Sequence, residues 1–216
     1  MTDPELAPLT INEFQALTHV SDETLRNLEK YKDILTQWQK KINLVSQKSL
    51  NDLWRRHMLD SAQLFSHLIN VKNPIIDLGS GAGFPGLVLA IMGLKNIHLV
   101  ESDNRKCTFL REISVQTNTD ATIHNARIEK MDTIDAGVVL ARGLASLDAL
   151  LDYAAPLLAE NGFCLFLKGQ KVEQELTLCQ KNWMMQVHRV DSLSDPTGVI
   201  LKIDNVSRKN ACESRP

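Results

Sequence analysis

The sequence predicts an α/β protein, a mostly parallel sheet with helices on both faces, preceded by an N-terminal helical extension. Two observations carry this prediction. From Pro74 onward, short apolar segments alternate with segments of helical periodicity, which is typical of βαβ units. Directly after the first apolar segment, a glycine-rich turn opens a helix. We therefore expect a helical extension over residues 1–72, an α/β core over 73–204 and a mobile tail over 205–216.

Capping signals and apolar stripes predict the helices of the extension. Thr10 and Glu13 have the spacing of a capping box, which starts a helix. Ser21 can cap the next helix, and the apolar stripe of that helix comprises Leu25, Leu28, Leu35 and Trp38. Ser49 and Asp52 are expected to open a third helix, with a buried face at helical spacing.

The core is predicted from the alternation that follows. Strands are expected over residues 74–78, 97–101, 121–125, 136–141, 163–167, 184–190 and 199–203. Helices are expected over residues 85–92, 105–115, 147–158 and 172–180. Because ligands of such sheets bind beyond the carboxyl ends of the strands, the functional residues are sought there.

The charge balance gives no global reason to expect nucleic-acid binding. The 216 residues include 24 Lys+Arg and 26 Asp+Glu, a formal net charge of −2. One local exception lies between residues 40 and 57, which contain five basic residues and one acid. The basic residues are Lys40, Lys41, Lys48, Arg55 and Arg56, and the acid is Asp52. Such a local excess suits phosphate contacts, and a solvated helical face is the alternative.

The N-terminus and the cysteines indicate a cytoplasmic protein. The first residues lack the basic and apolar regions of a secretory signal, and no apolar run is long enough to span a membrane. The spacings of Cys107, Cys164, Cys179 and Cys212 match no zinc or redox motif. We expect reduced thiols, no metal and a monomer.

The glycine-rich turn indicates the cofactor. Its glycines match the loop that lets a ligand approach the backbone; they are Gly79, Gly81, Gly83 and Gly86. Asp77, just before the turn, would repel a dinucleotide pyrophosphate but attract the ammonium of S-adenosylmethionine (SAM). Glu101 ends the next strand and can accept hydrogen bonds from ribose hydroxyls. This order predicts the Rossmann-like sheet of class I SAM-dependent methyltransferases.

Two motifs that the sequence lacks narrow the choice of methyl acceptor. The expected fourth strand is followed by Arg142-Gly143-Leu144, without the Asn/Asp-Pro-Pro-aromatic motif of amino-methylating enzymes. No cysteine has the context of a nucleophile for carbon-5 pyrimidine methylation. Guanine N7 needs neither device, because its lone pair attacks directly. These absences exclude two kinds of methyl acceptor without selecting a third. Arg142 and Lys168 can each contact a base, a phosphate or a cofactor carboxylate.

Several segments together resemble the bacterial ribosomal small-subunit methyltransferase G family. The matching segments lie in the family's order and cover most of the chain; they are residues 42–46, 56–61, 77–86, 101–102, 109–111, 127–129, 142–147 and 168–170. The resemblance implies a SAM-dependent enzyme that methylates N7 of a guanine in 16S ribosomal RNA. Its partner would be 16S rRNA or a small-subunit assembly particle.

The resemblance also assigns individual residues. Gly79 and Phe84 would line the SAM site, and Arg142 matches an arginine there. Ile128 and Glu129 match the pair that flanks the adenine. Further matches imply RNA contacts at Arg56, His57 and Lys168. The residues alone leave open a SAM methyltransferase acting on a protein or small molecule and a SAM-binding sensor without catalysis, and they disfavour an NAD-dependent oxidoreductase.

Overall fold

The computed structural model describes residues 7–209, and its centre is one seven-stranded sheet. The strands are β1 (Ile75–Leu78), β2 (Ile97–Glu101), β3 (Ala121–Asn125), β4 (Ala136–Arg142), β5 (Leu158–Lys168), β6 (Trp183–Asp191) and β7 (Val199–Arg208). Their order across the sheet is β3-β2-β1-β4-β5-β7-β6. The first five strands pair in parallel, whereas β7 pairs antiparallel with both β5 and β6. This confirms the predicted α/β class with a mostly parallel sheet.

Helices cover both faces of the sheet and precede it. The α-helices are α1 (Ile11–Thr18), α2 (Asp22–Gln39), α3 (Gln47–Leu50), α4 (Asp60–Ala62), α5 (Gly86–Ile91), α6 (Asn104–Gln116), α7 (Leu147–Ala154) and α8 (Val172–Asn182). A π-helical turn, Trp54–Leu59, leads directly into α4. Short 3₁₀ turns cover Phe65–His67, Ile128–Lys130 and Ala155–Leu157.

The first two helices begin at the predicted caps. The Thr10 hydroxyl accepts from the Glu13 amide while the Glu13 carboxylate accepts from the Thr10 amide, 2.8 Å away, so the capping box is confirmed. Ser21 caps α2 through the Thr24 amide, 3.1 Å away. Each serine or threonine satisfies an amide that has no partner inside its own helix, which fixes where the helix starts.

Several sequence expectations about element bounds were wrong. The helix expected over residues 147–158 ends at Ala154, and the strand expected over 163–167 spans Leu158–Lys168. The third helical segment begins at Ser46, whose hydroxyl accepts from the Ser49 amide, and not at Ser49 or Asp52. The strand expected to end at residue 203 continues to Arg208, where the Arg208 guanidinium donates 2.6 Å to Asp152. Residues 205–208 therefore belong to the sheet, and residues 210–216 of the expected mobile tail lie outside the described residues. Polar side chains hid this part of β7, because the last residues of the strand are largely exposed.

Two apolar layers pack against the sheet. One contains α5 and α6 together with buried residues of the extension, namely Phe14, Leu28, Tyr31 and Leu35. The other contains α7 and α8. Burial of this apolar area is the main stabilising term of the fold, and it joins the helical extension to the core. Among residues 7–209, no helix is both long enough and apolar enough to cross a bilayer.

Candidate active site

A cleft of about 410 Å³ opens at the carboxyl ends of β1, β2 and β4. Its size lies within the range of small-molecule sites. Six of the predicted site residues line it, namely Gly79, Gly81, Glu101, Ile128, Glu129 and Arg142. The carboxyl ends of parallel strands meet at one edge of the sheet, and this is why residues far apart in sequence converge here.

The glycine-rich turn lies close to other backbone and side-chain atoms. Gly79 has φ +62°, and a Cβ there would come within 2.6 Å of a Leu144 methyl carbon. Gly83 has φ +91°, and a Cβ there would come within 2.7 Å of the Tyr31 hydroxyl. Side chains rarely adopt such φ values, so glycine is required at both positions. Gly83 lies below the cleft, whereas Gly79 is part of its wall.

The Glu101 carboxylate holds two loops at the end of β2 by hydrogen bonds. Its Oε2 accepts from the Gly81 amide at 3.0 Å, and its Oε1 accepts from the Asp103 amide at 2.7 Å. The side chain is largely buried, but it still borders the cleft. Each carboxylate oxygen has a second lone pair, so the group can hold the loops and accept ribose hydroxyls together.

Asp77 lies beneath the glycine-rich turn. Its side chain is fully buried and is not part of the cleft wall, and its attraction for the ammonium of SAM stays a prediction. Oδ2 accepts from the Gly86 amide at 3.1 Å, whereas Oδ1 is buried without a partner among the described residues. The carboxyl group therefore acts on the cleft through its charge and through the turn it supports.

Burial raises the pKa of Asp77 to about 7. The loss of water outweighs the hydrogen bond from Gly86 and the nearby charge of Arg142, both of which lower the pKa. The negative charge of Glu101 raises it further. Asp77 thus changes charge near neutral pH, at the base of the cleft.

Phe84 and Tyr31 form an aromatic stack under the same turn. Their ring centroids are 5.2 Å apart and the rings are nearly parallel. Tyr31, in α2, is fully buried and donates its hydroxyl to the carbonyl oxygen of Ala82. Phe84 is also buried and does not line the cleft. The helical extension therefore supports the glycine-rich turn directly.

Replacing Tyr31 with phenylalanine is expected to weaken SAM binding about fivefold. The ring would keep its packing, but the carbonyl of Ala82 would lose its donor, which costs about 1 kcal/mol. Isothermal titration calorimetry with SAM measures the effect. Trp38→Phe is the matched control, because Trp38 links α2 to α6 by donating to Glu112, 2.9 Å away, and does not contact the turn. Equal losses of SAM affinity in both variants would show that any disturbance of α2 weakens binding, and not the missing hydrogen bond to Ala82 in particular.

Arg142 connects the cleft with the helical extension. Its Nη1 donates to the Arg56 carbonyl at 2.9 Å and to Asp60 Oδ2 at 3.2 Å. Its Nη2 donates to His57 Nδ1 at 2.7 Å, and the guanidinium lies 5.1 Å from the Phe84 ring centre. Arginine's planar fork suits these several acceptors. Arg142 therefore borders the cleft with its orientation fixed by the π-helical turn.

The residues expected to contact RNA differ in accessibility. His57 is buried against Phe84, and burial followed by the charges of Arg142 and Arg56 lowers its pKa to about 3. Lys168 is held by Ala145 O at 3.1 Å and Glu175 Oε2 at 2.6 Å. Both side chains are engaged within the protein in this structure, and their contact with RNA stays a prediction. Arg56 is half exposed and paired with Asp195 at 2.7 Å.

Sequence reasoning missed several residues of the site. Lys106, Arg127 and Tyr153 line the cleft, and Asp60 fixes Arg142. Arg127 stands beside the predicted Ile128–Glu129 pair, and that position is a signal that could have been used. Tyr31 gave no signal of its own, because an aromatic residue within an apolar stripe is usually a core residue.

The parallel sheet, the glycine-rich turn after β1 and the acid that ends β2 define a class I SAM-dependent methyltransferase. A family profile described as rRNA small subunit methyltransferase G matches residues 24–199. The chain belongs to this family.

Relatives and solved structures agree with this placement. The ribosomal RNA small subunit methyltransferase G of Paramagnetospirillum magneticum is 54% identical over 192 residues, covering 89% of this chain and 94% of its own. The methyltransferase G of Rhodospirillum rubrum is 48% identical over 200 residues, covering 93% of this chain and 100% of its own. The structure of a magnesium protoporphyrin IX methyltransferase with bound SAM from Synechocystis has a TM-score of 0.58 at 11% identity, covering 86% of this chain and 97% of its own. That likeness shows the shared fold.

Proposed function

We propose that this protein transfers the methyl group of SAM to N7 of a guanine in bacterial 16S ribosomal RNA. The observation that carries the proposal is a SAM-type cleft in a chain whose relatives are named for rRNA methylation over nearly their whole length. We expect the enzyme to act as a monomer. With this substrate, we expect the enzyme to act in the cytoplasm on 16S rRNA or an assembling subunit.

The cleft residues fit the cofactor by their chemistry. Glu101 offers acceptors for ribose hydroxyls, and Ile128 and Glu129 offer an apolar face and an acceptor beside an adenine. The Asp77 carboxylate, when ionised, favours a cation in the cleft. SAM, when bound, would supply an electrophilic methyl group: the N7–carbon bond forms as the carbon–sulfur bond breaks, and neutral S-adenosylhomocysteine leaves. Arg142, fixed by Asp60 and His57, borders the place where the acceptor must approach.

The side chains here need not remove a proton. Guanine N7 carries a free lone pair, so the protein contributes mainly proximity and alignment. His57 stays neutral at physiological pH but is buried with Nδ1 occupied by Arg142. Cys107, Cys164 and Cys179 are buried, and burial raises the pKa of each thiol, to about 11 for Cys179. None of these three is placed as a nucleophile.

Replacing all four cysteines with serine or alanine is expected to keep the methylation rate within about tenfold, apart from packing losses. The fourth, Cys212, lies outside the described residues. Single-turnover rates on bound RNA at saturating SAM should also show no steep rise between about pH 6.5 and 8.5, since no base must lose a proton first. A covalent cysteine–RNA adduct, or a tenfold rise per pH unit, would point to another acceptor atom.

Mass spectrometry of 16S rRNA tests the function itself. Ribosomal RNA from cells lacking the gene should miss one methyl group on a guanine, and the purified enzyme with labelled SAM should restore it. The protein or small-molecule alternative predicts an unchanged guanine-modification profile and label in another fraction. SAM binding with no transfer to any fraction would instead indicate a sensor.

A further inference from the structure

A second groove, of about 610 Å³, lies on the helical extension outside the cleft. We infer that this groove binds single-stranded RNA beside the guanine that is methylated. Its wall includes Ser46, Lys48, Asn51 and Arg56, which offer hydroxyl, ammonium, amide and guanidinium donors. The inference rests on the proposed function and names where the substrate strand would lie.

Methylation of guanine N7 requires the target guanine to be outside an RNA duplex. Guanine N7 lies on the major-groove edge of a base pair. In an RNA duplex that groove is deep and narrow, so a protein cleft cannot reach the atom. The target guanine must therefore be unpaired or turned out when it reacts. The nucleotides next to it then need a surface that holds an extended phosphate backbone, and grooves with cationic side chains serve this purpose.

The structure selects two of the five basic residues in the 40–57 cluster. Arg55 is tied to Asp52 Oδ2 at 3.1 Å and to the Ala7 carbonyl at 2.9 Å, so it has an internal role. Lys40 and Lys41 follow α2 and do not line the groove. Lys48 and Arg56 do line it; both are exposed, and Lys48 forms no ion pair among residues 7–209.

Asp52, the acid in the groove wall, would repel a phosphate only weakly. Asp52 accepts from the Leu9 amide at 2.8 Å and pairs with Arg55, so its charge is compensated. The local balance at the groove is therefore positive in a chain whose net charge is −2. This charge is complementary to an RNA backbone.

Arg56 links the groove to Arg142 in the cleft wall by a hydrogen bond. The Arg56 side chain lines the groove, and its carbonyl accepts from Arg142 Nη1, 2.9 Å away, while Arg142 lines the cleft. A strand held at Arg56 would therefore pass close to the cleft entrance. The π-helical turn that carries Arg56 is thus positioned to guide the flanking nucleotide while Arg142 faces the reacting one.

Asp195 competes for the same guanidinium. Its Oδ2 lies 2.7 Å from Arg56 Nη1, while its Oδ1 accepts from Thr197 in the loop between β6 and β7. This leaves the other Arg56 donors available, since arginine has five N–H groups. An arriving phosphate would draw Arg56 away from Asp195, so removing that carboxylate should favour RNA.

The test measures RNA affinity as a function of salt. A 16S rRNA transcript and a small-subunit assembly particle are titrated against the wild type, Lys48→Ala, Arg56→Gln and Asp195→Asn. Each of the first two variants should bind RNA about fivefold more weakly at low salt, with a salt slope reduced by about 0.7–1. Asp195→Asn should bind more tightly. The asparagine keeps an oxygen for Thr197, so the loop is preserved.

Lys181→Ala is the matched control, because Lys181 is an exposed lysine of α8, which packs on the other face of the sheet. It should match the wild type in RNA affinity. Lys48→Ala should also keep the SAM affinity of the wild type by calorimetry, which confirms an intact cleft. Unchanged RNA binding in Lys48→Ala and Arg56→Gln at every salt concentration would overturn the inference that the groove binds RNA. Failure of the wild type to methylate 16S rRNA would instead overturn the proposed function.

Discussion

Replacing Glu101 with alanine is expected to weaken SAM binding by about 100-fold, the largest effect of any single change in the cleft. The variant would lose the acceptor for the ribose and also the two ties to the Gly81 and Asp103 amides. Hydrogen bonds to a charged group are worth about 1.5–3 kcal/mol, or roughly 10- to 150-fold in affinity. Isothermal titration calorimetry with SAM measures the loss directly.

The end of β2 should survive this change. The main-chain carbonyl of Glu101 accepts from Asn125 Nδ2 and from the Cys107 thiol, each 3.3 Å away, independently of the carboxylate. Glu101→Asp should lose much less, since a shorter carboxylate still offers acceptors. Glu160→Ala, at an exposed acid on β5, is the control and should bind SAM like the wild type. Normal affinity in a folded Glu101→Ala would remove Glu101 from the site.

SAM affinity is expected to rise with pH around pH 7 and to lose this dependence in Asp77→Asn. The pKa of Asp77 is raised to about 7, so the group is mostly neutral at pH 6 and mostly ionised at pH 8. Only the ionised form attracts the cationic cofactor, and affinity therefore increases as the proton leaves. At pH 8 the variant should bind about tenfold more weakly than the wild type, since one buried charge interaction is lost.

The comparison at low pH separates charge from packing. At pH 6 the two proteins should bind SAM alike, because asparagine resembles the neutral acid and can still accept from Gly86. Calorimetry at pH 6, 7 and 8 supplies the series, with Asp120→Asn as the control at an exposed acid. The same pH dependence in Asp77→Asn as in the wild type would assign the titration to another group.

The sequence predicted the parallel core well because its strands are short, apolar and separated by helices. β2 and β3 have the predicted bounds, residues 97–101 and 121–125. The glycine-rich turn predicted the site, because only glycine tolerates its backbone at Gly79 and Gly83. These features depend on local chemistry, and local chemistry can be read from neighbouring residues.

Other parts of the site depend on contacts between distant residues. Arg142 and His57 are 85 positions apart and meet only because α4 and the π-helical turn pack beside β4. The same packing buries His57, which the sequence suggested as an RNA contact. Asp77 is placed correctly at the end of β1, but its side-chain direction depends on the Gly86 amide, nine residues later. Residue types and spacing do not determine such directions.

The position of β7 has a consequence for how the chain is made. The ribosome synthesises residues 199–208 after all the other strands, yet β7 lies between β5 and β6 rather than at the edge of the sheet. A nascent chain that stops before residue 199 exposes the unpaired edge of β5, and β6 has no partner at all. Exposed strand edges invite aggregation. Termination before residue 199 would therefore leave these two strands unpaired, although every residue that lines the cleft has already been synthesised.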